Sequence, residues 1–138
     1  MDRQKLIQEA INTLPNAYAP YSHHHVAAAL LCKDGSVYTG FNIENAAYSP
    51  TICAERSAFV RAVNDGQREF ETIVICGGMY GKAEAYCAPC GVCRQVMREF
   101  CDPERFVVIL AREDGSYLEK RLEELLPMGF GPENLSKG

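Results

Sequence analysis

The chain reads as an α/β protein, a three-layer α/β/α sandwich with a mixed central β-sheet. Three observations predict this. An early strand pair and a late one are each joined through an Asp-Gly turn signal. Between those pairs, helical and strand patterns alternate, which implies right-handed crossovers and a parallel section. A helical pattern also precedes the first strand pair, so helices fall on both faces of the sheet.

The elements follow in order. Leu6, Ile7, Ala10, Ile11 and Leu14 recur at helical spacing, and Pro15 stops the pattern. Val26 to Cys32, VAAALLC, is a buried strand, turned by KDGS into Val37 to Phe41. An irregular polar segment, NIENAAYSPTI, leads to a helical stretch from about Cys53 to Asn64. Phe70 to Gly78 is a strand rich in β-branched residues. A loop reaches Pro89, expected to open a second helix with Cys93, Val96, Met97 and Phe100 on one face. RFVVIL is a strand, REDGS a turn and YLEKR the last strand. LEELL is a short helix that ends before Pro127, and the terminal SKG is expected to fray.

A length of 138 residues fits one domain, 1–138, large enough to bury a core without disulfide staples. No linker, repeat or low-complexity segment interrupts it. The net charge of −4 and the lack of any basic run argue against a nucleic-acid polymer as partner. No apolar run is long enough for a bilayer, and the first residues lack a signal-peptide core, so a cytoplasmic location is expected. Seven cysteines, an odd number in a reducing compartment, point to a metal or catalytic site.

Four of those cysteines lie in AYCAPCGVCRQVMREFC, Ala85 to Cys101. Cys90 and Cys93 stand three apart at a helix start, where free amides and the helix dipole favour thiolates. Such a pair is equally a redox dithiol. TICAER adds Cys53 and Glu55 at the start of the other central helix. Three protein ligands with an open fourth position is the arrangement of catalytic zinc; four would be structural. Glu55 is placed to move protons beside the open position without ligating. Three thiolates around Zn²⁺ leave one net negative charge, which two helix N-termini and Arg56 would offset. Arg56 is therefore expected to bond the ligand sulfurs, the alternative being an exposed helix charge.

Cys87-x-x-Cys90-x-x-Cys93 also resembles the start of an iron–sulfur run. Cys101 follows too late for that, and Cys53 and Glu55 would have no purpose. Cys87 is expected in the loop as an incidental thiol near the site, with Cys32, Cys76 and Cys101 packed as small hydrophobes. In SHHH, Ser22 to His25, adjacent side chains of an extended segment alternate faces and cannot share one ion.

CAER followed by PCGVCRQ resembles the small, homotetrameric, zinc-dependent cytidine deaminases, a class whose three-cysteine site and mechanism are well described. The likeness covers nearly the whole chain, including YAPYS, GFNIENAAYSPTICAER and ELLPMGFGPENL. It implies zinc on Cys53, Cys90 and Cys93, with Glu55 carrying protons from water to N3 of cytosine and on to the leaving amine. It implies that the main chain at Ala54 holds the base, and that Asn42 and Glu44 bond the ribose 3′-hydroxyl. Ala46, Tyr48 and Phe130 would reach a neighbouring subunit's substrate, with core packing the alternative for Phe130. At His24 the family usually carries Phe, and at Ala27 Gly. The imidazole can still stack on the base, but it can gain a proton near neutral pH, which would weaken base binding in acid. Cytidine and deoxycytidine salvage is the implied activity. The alternatives are blasticidin S deaminase, which resembles this chain but lacks the NIEN segment, a modified-cytidine deaminase, a polynucleotide deaminase and a structural zinc module.

Overall fold

A computed structural model describes residues 1–135; the fraying expected of SKG lies outside them. The chain runs α1 (Arg3–Thr13), β1 (His24–Cys32), β2 (Val37–Phe41), α2 (Ala54–Asn64), β3 (Phe70–Met79), α3 (Gly91–Phe100), β4 (Val107–Ala111), β5 (Tyr117–Arg121) and α4 (Leu122–Leu125), with short 3₁₀ turns at Leu14–Asn16 and Pro132–Leu135. The α/β class and every expected element are present.

One five-stranded sheet has the order β2-β1-β3-β4-β5. Within it β3 and β4 pair in parallel, Thr72 to Ile75 against Val107 to Leu110, and α3 makes that crossover. α2 crosses from β2 to β3, which β1 separates; both pair antiparallel to β1 and so run the same way.

Successive strand residues point to opposite faces, and this divides the core in two. Ala28, Leu30, Cys32, Ile73, Ile75, Val108 and Leu110 meet α2 and α3 on one face. Ala27, Ala29, Leu31, Val74, Cys76, Ile109 and Ala111 meet Leu6, Ile7 and Ala10 of α1 on the other. Strands covered on both faces read as continuous apolar runs, which is why VAAALLC shows no alternation. Cys32, Cys76 and Cys101 are buried, as small hydrophobes would be. Phe59 and Phe70 meet edge to face, with centroids 5.0 Å apart, under the α2–α3 layer.

Local chemistry sets the ends. Asp2 caps α1 by accepting from Lys5 N at 2.9 Å. Gly35 supplies the left-handed φ of +93° in the first hairpin turn. β1 starts at His24, two residues before the apolar pattern, because His24 and His25 pair with Met79 and Gly78. α3 starts at Gly91 with Cys90 as N-cap, so Pro89 precedes the helix instead of opening it. β2 and α2 touch through their backbones at Gly40. A Cβ there would stand 2.5 Å from Ala58 N and 2.6 Å from Ala54 O. Among the described residues, no helix is long and apolar enough to cross a membrane.

Candidate active site

Two helix starts converge on one point. Cys53 is the N-cap of α2 and Cys90 the N-cap of α3, both with extended backbone, and neither side chain caps its own helix. Cys93 lies one turn into α3 and is buried. The sulfurs of Cys53 and Cys90 are 3.8 Å apart and those of Cys90 and Cys93 3.5 Å. All three lie within 4.8 Å of one another. Zinc–sulfur bonds of about 2.3 Å in a tetrahedron require sulfurs about 3.8 Å apart, so the trio fits that ion.

The electrostatics agree. The Cys53 thiol is held down at about 5, first by a hydrogen bond from the Cys93 thiol, then by Arg56 and Cys90. The same sharing drives Cys93 up. Arg56 Nη2 donates to Cys53 Sγ at 3.5 Å. Arg56 is therefore bonded to the Cys53 sulfur and is not a free surface charge. Its buried Nε has no acceptor among the described residues.

Glu55, on the first turn of α2, is buried at 4% exposure. Burial raises its carboxyl to about 7, and the Cys53 charge adds to the rise. Glu55 and Ala54 line a cavity of about 230 Å³ with His24, Asn42, Glu44, Cys53 and Cys90. Asn42 is clasped to β1: its Oδ1 accepts from Val26 N at 3.0 Å and its Nδ2 donates to His24 O at 2.8 Å. Glu44 accepts from Tyr21 N and Ser22 N, each at 3.0 Å, and from the Ser22 hydroxyl.

His24 and His25 separate as the alternation of a strand predicts, while His23 precedes β1 with a left-handed φ of +61°. His24 lines this cavity, His25 lines a groove with Ile11 and Tyr80, and His23 stacks on Tyr80 at 5.2 Å. Cys87 stands in the loop before α3, near the site. It lines the cavity, and burial raises its thiol to about 11.

Three residues were expected to reach a neighbouring subunit's substrate, not this chain's own. Ala46 is exposed, Tyr48 is 74% exposed and Phe130 56%, and none lines the cavity. The Tyr48 ring packs edge-on to Tyr21, and Phe130 is held through its carbonyl by Gln95 Nε2 at 2.9 Å. Ser22, Thr51, Ile52 and Ala88 are walls to which sequence reasoning gave no role. Only their place in the YAPYS, SPTICAER and AYCAPCGVCRQ stretches hinted at them.

A larger groove of about 590 Å³ over Phe70, Phe100 and Phe106 holds none of the converging groups. Cys53, Cys90 and Glu55 meet at the smaller cavity.

An α/β/α sheet that brings three thiols and a buried carboxyl to two helix N-termini has the groups that a zinc-dependent hydrolytic enzyme needs. The comparisons with known proteins narrow the class. The family model for the cytidine and deoxycytidylate deaminase zinc-binding region matches residues 1–110. A cytidine deaminase of Sporosarcina psychrophila is 46% identical over 136 residues, 99% of this chain and 96% of that protein. The crystal structure of a Burkholderia pseudomallei cytidine deaminase superposes with a TM-score of 0.86 at 40% identity, over 94% of this chain and 100% of that one. A blasticidin-S deaminase of Bacillus cereus is 31% identical over 130 residues, 91% of this chain and 90% of that protein. The chain belongs to the cytidine and deoxycytidylate deaminase zinc-binding family.

Proposed function

We propose that this enzyme hydrolyses cytidine and 2′-deoxycytidine to uridine and deoxyuridine with release of ammonia, as a cytoplasmic step of pyrimidine salvage. The observation that carries the reading is the convergence of the Cys53, Cys90 and Cys93 sulfurs at a cavity lined by Cys53, Cys90 and the buried Glu55. Zinc held by the three thiolates supplies Lewis-acid activation of water at neutral pH.

The chain's own groups do the rest. Ala54, whose first-turn N–H has no intrahelical acceptor, offers its main chain to the base, and His24 offers a flat ring. Asn42 and Glu44 present a donor and an acceptor to the sugar. Glu55 takes a proton from water and places it on N3 as oxygen adds to C4. It then takes the remaining proton of that oxygen to the exocyclic amine. The C4–N bond breaks, ammonia leaves and C4 keeps a carbonyl. A carboxyl raised toward neutrality suits this two-way role.

A cavity of 230 Å³ is smaller than the roughly 300–1,000 Å³ that encloses a drug-sized ligand. Outward-facing Ala46, Tyr48 and Phe130 are then contributed to neighbouring copies, in a homotetramer with shared sites.

Ammonia release from cytidine, with zinc measured on the same sample, tests the reading. Wild type is expected to turn over with about one zinc per chain. Glu55→Gln is expected to keep the metal and lose about 10²–10⁴-fold in kcat. Equal rates in both proteins would make the site structural. Turnover of blasticidin S but not cytidine would move the function to the relative that is 31% identical.

A further inference from the structure

We infer that Ser22 is a positioning residue for sugar recognition: its hydroxyl holds Glu44 as a hydrogen-bond acceptor and ties it to the backbone of His24. The inference rests on the reading of Glu44 as a sugar contact.

Glu44 receives three donors from two consecutive residues. Tyr21 N and Ser22 N reach Oε1, each at 3.0 Å, and Ser22 Oγ reaches Oε2. Ser22 Oγ itself accepts from His24 N at 3.0 Å. An amide N–H can only donate, so the hydroxyl proton is left free to go to the carboxylate. The converging donors favour the ionised acid, and they hold Glu44 below the usual carboxylate range, Ser22 first among them.

Specificity follows from counting lone pairs. A carboxylate offers about four acceptor positions, and three are taken by the Tyr21–Ser22 turn. One remains, on Oε2, beside the cavity that Ser22, His24 and Glu44 line together. It accepts from a sugar hydroxyl and has nothing to offer a sugar that lacks one.

The His24 backbone is pinned on both sides by the same machinery. Its N–H goes to Ser22 Oγ, and its C=O takes Asn42 Nδ2 at 2.8 Å. The residue facing the base and the two residues facing the sugar thus share one hydrogen-bonded frame, with the Ser22 hydroxyl as its junction.

The test compares zinc-loaded wild type, Ser22→Ala, Ser22→Cys and Ser22→Thr. Ammonia release is measured with cytidine and 3′-deoxycytidine, and calorimetric binding with uridine and 3′-deoxyuridine. Ser22→Ala is expected to raise KM for cytidine and Kd for uridine about tenfold, with kcat within about twofold and the 3′-deoxy compounds little affected. Ser22→Cys fills the space with a weak donor and is expected to show the same sugar-selective loss, which covers an alanine variant that fails to fold. Ser22→Thr keeps a hydroxyl and restores the cytidine values. Equal losses on both sugars, or a loss confined to kcat, would overturn the inference. Wild type that binds uridine with a clear 3′-hydroxyl preference, lost in Ser22→Ala, yet releases no ammonia would sink the deamination reading and leave this one standing. Uridine binding indifferent to the 3′-hydroxyl would do the reverse.

Discussion

Cys53 and Cys90 occupy positions where Ser, Thr, Asp or Asn usually cap a helix. Both helices forgo that cap. In return, two sets of unpaired amides and two positive dipole ends face a cluster of thiols, which lowers the free energy of thiolates. Arg56 adds a fixed positive charge against Cys53 Sγ. Arg56→Ala is therefore expected to weaken zinc binding about 10–100-fold, read by competition with a chromogenic chelator. An unchanged affinity would mean the contact is incidental. At this scale the metal end was legible in the sequence, because spacings of two and three residues within short motifs translate directly into one turn of helix. Ser22 was not. Its partner Glu44 lies 22 positions on, and only the closing of Tyr21 and Ser22 over that carboxylate brings them together.

The elements position the site through backbone contact as much as through side chains. At Gly40, β2 runs so close to α2 that a methyl group meets Ala54 O and Ala58 N within 2.6 Å. Neither atom is the end of a flexible side chain, so the helix itself must move. Gly40→Ala is expected to cost about 1–3 kcal/mol, roughly 5–10 °C in Tm, and to loosen zinc, since the displaced helix carries Cys53. Gly91, the first residue of α3, is the matched control: a Cβ there meets nothing within 4 Å. Gly91→Ala is expected to keep zinc and gain about 0.4–1 kcal/mol, because it lowers the entropy of the unfolded chain. A thermal melt with zinc analysis separates the two. Element type was legible here because each apolar pattern has a clear period. The ends were not: β1 gained two residues from pairing with β3, and α3 starts only after Cys90, its N-cap, leaving Pro89 outside the helix. Residues 42–52 gave no periodic signal because isolated bridges, Tyr18 with Ile43 and Ile43 with Ile52, hold them instead of a strand.

The whole molecule leaves the cavity beside Glu55 partly open while Tyr48, Met128 and Phe130 are 74%, 103% and 56% exposed. Neighbouring copies would supply the missing cavity walls and cover these side chains at once, and that arrangement is testable by complementation. Glu55→Gln lacks the proton carrier but keeps a sound Phe130, while Phe130→Ala has the reverse defect. If each site takes Phe130 from a neighbour, mixed oligomers contain some sites with an intact Glu55 facing an intact Phe130. Random pairing of equal amounts makes about a quarter of the sites whole in this sense. Co-expression is therefore expected to recover roughly a quarter of wild-type kcat/KM, well above the mean of the two pure variants, with the oligomer confirmed by light scattering. If Phe130 served its own subunit, no mixed site would be whole, and the co-expressed protein would only average its parents.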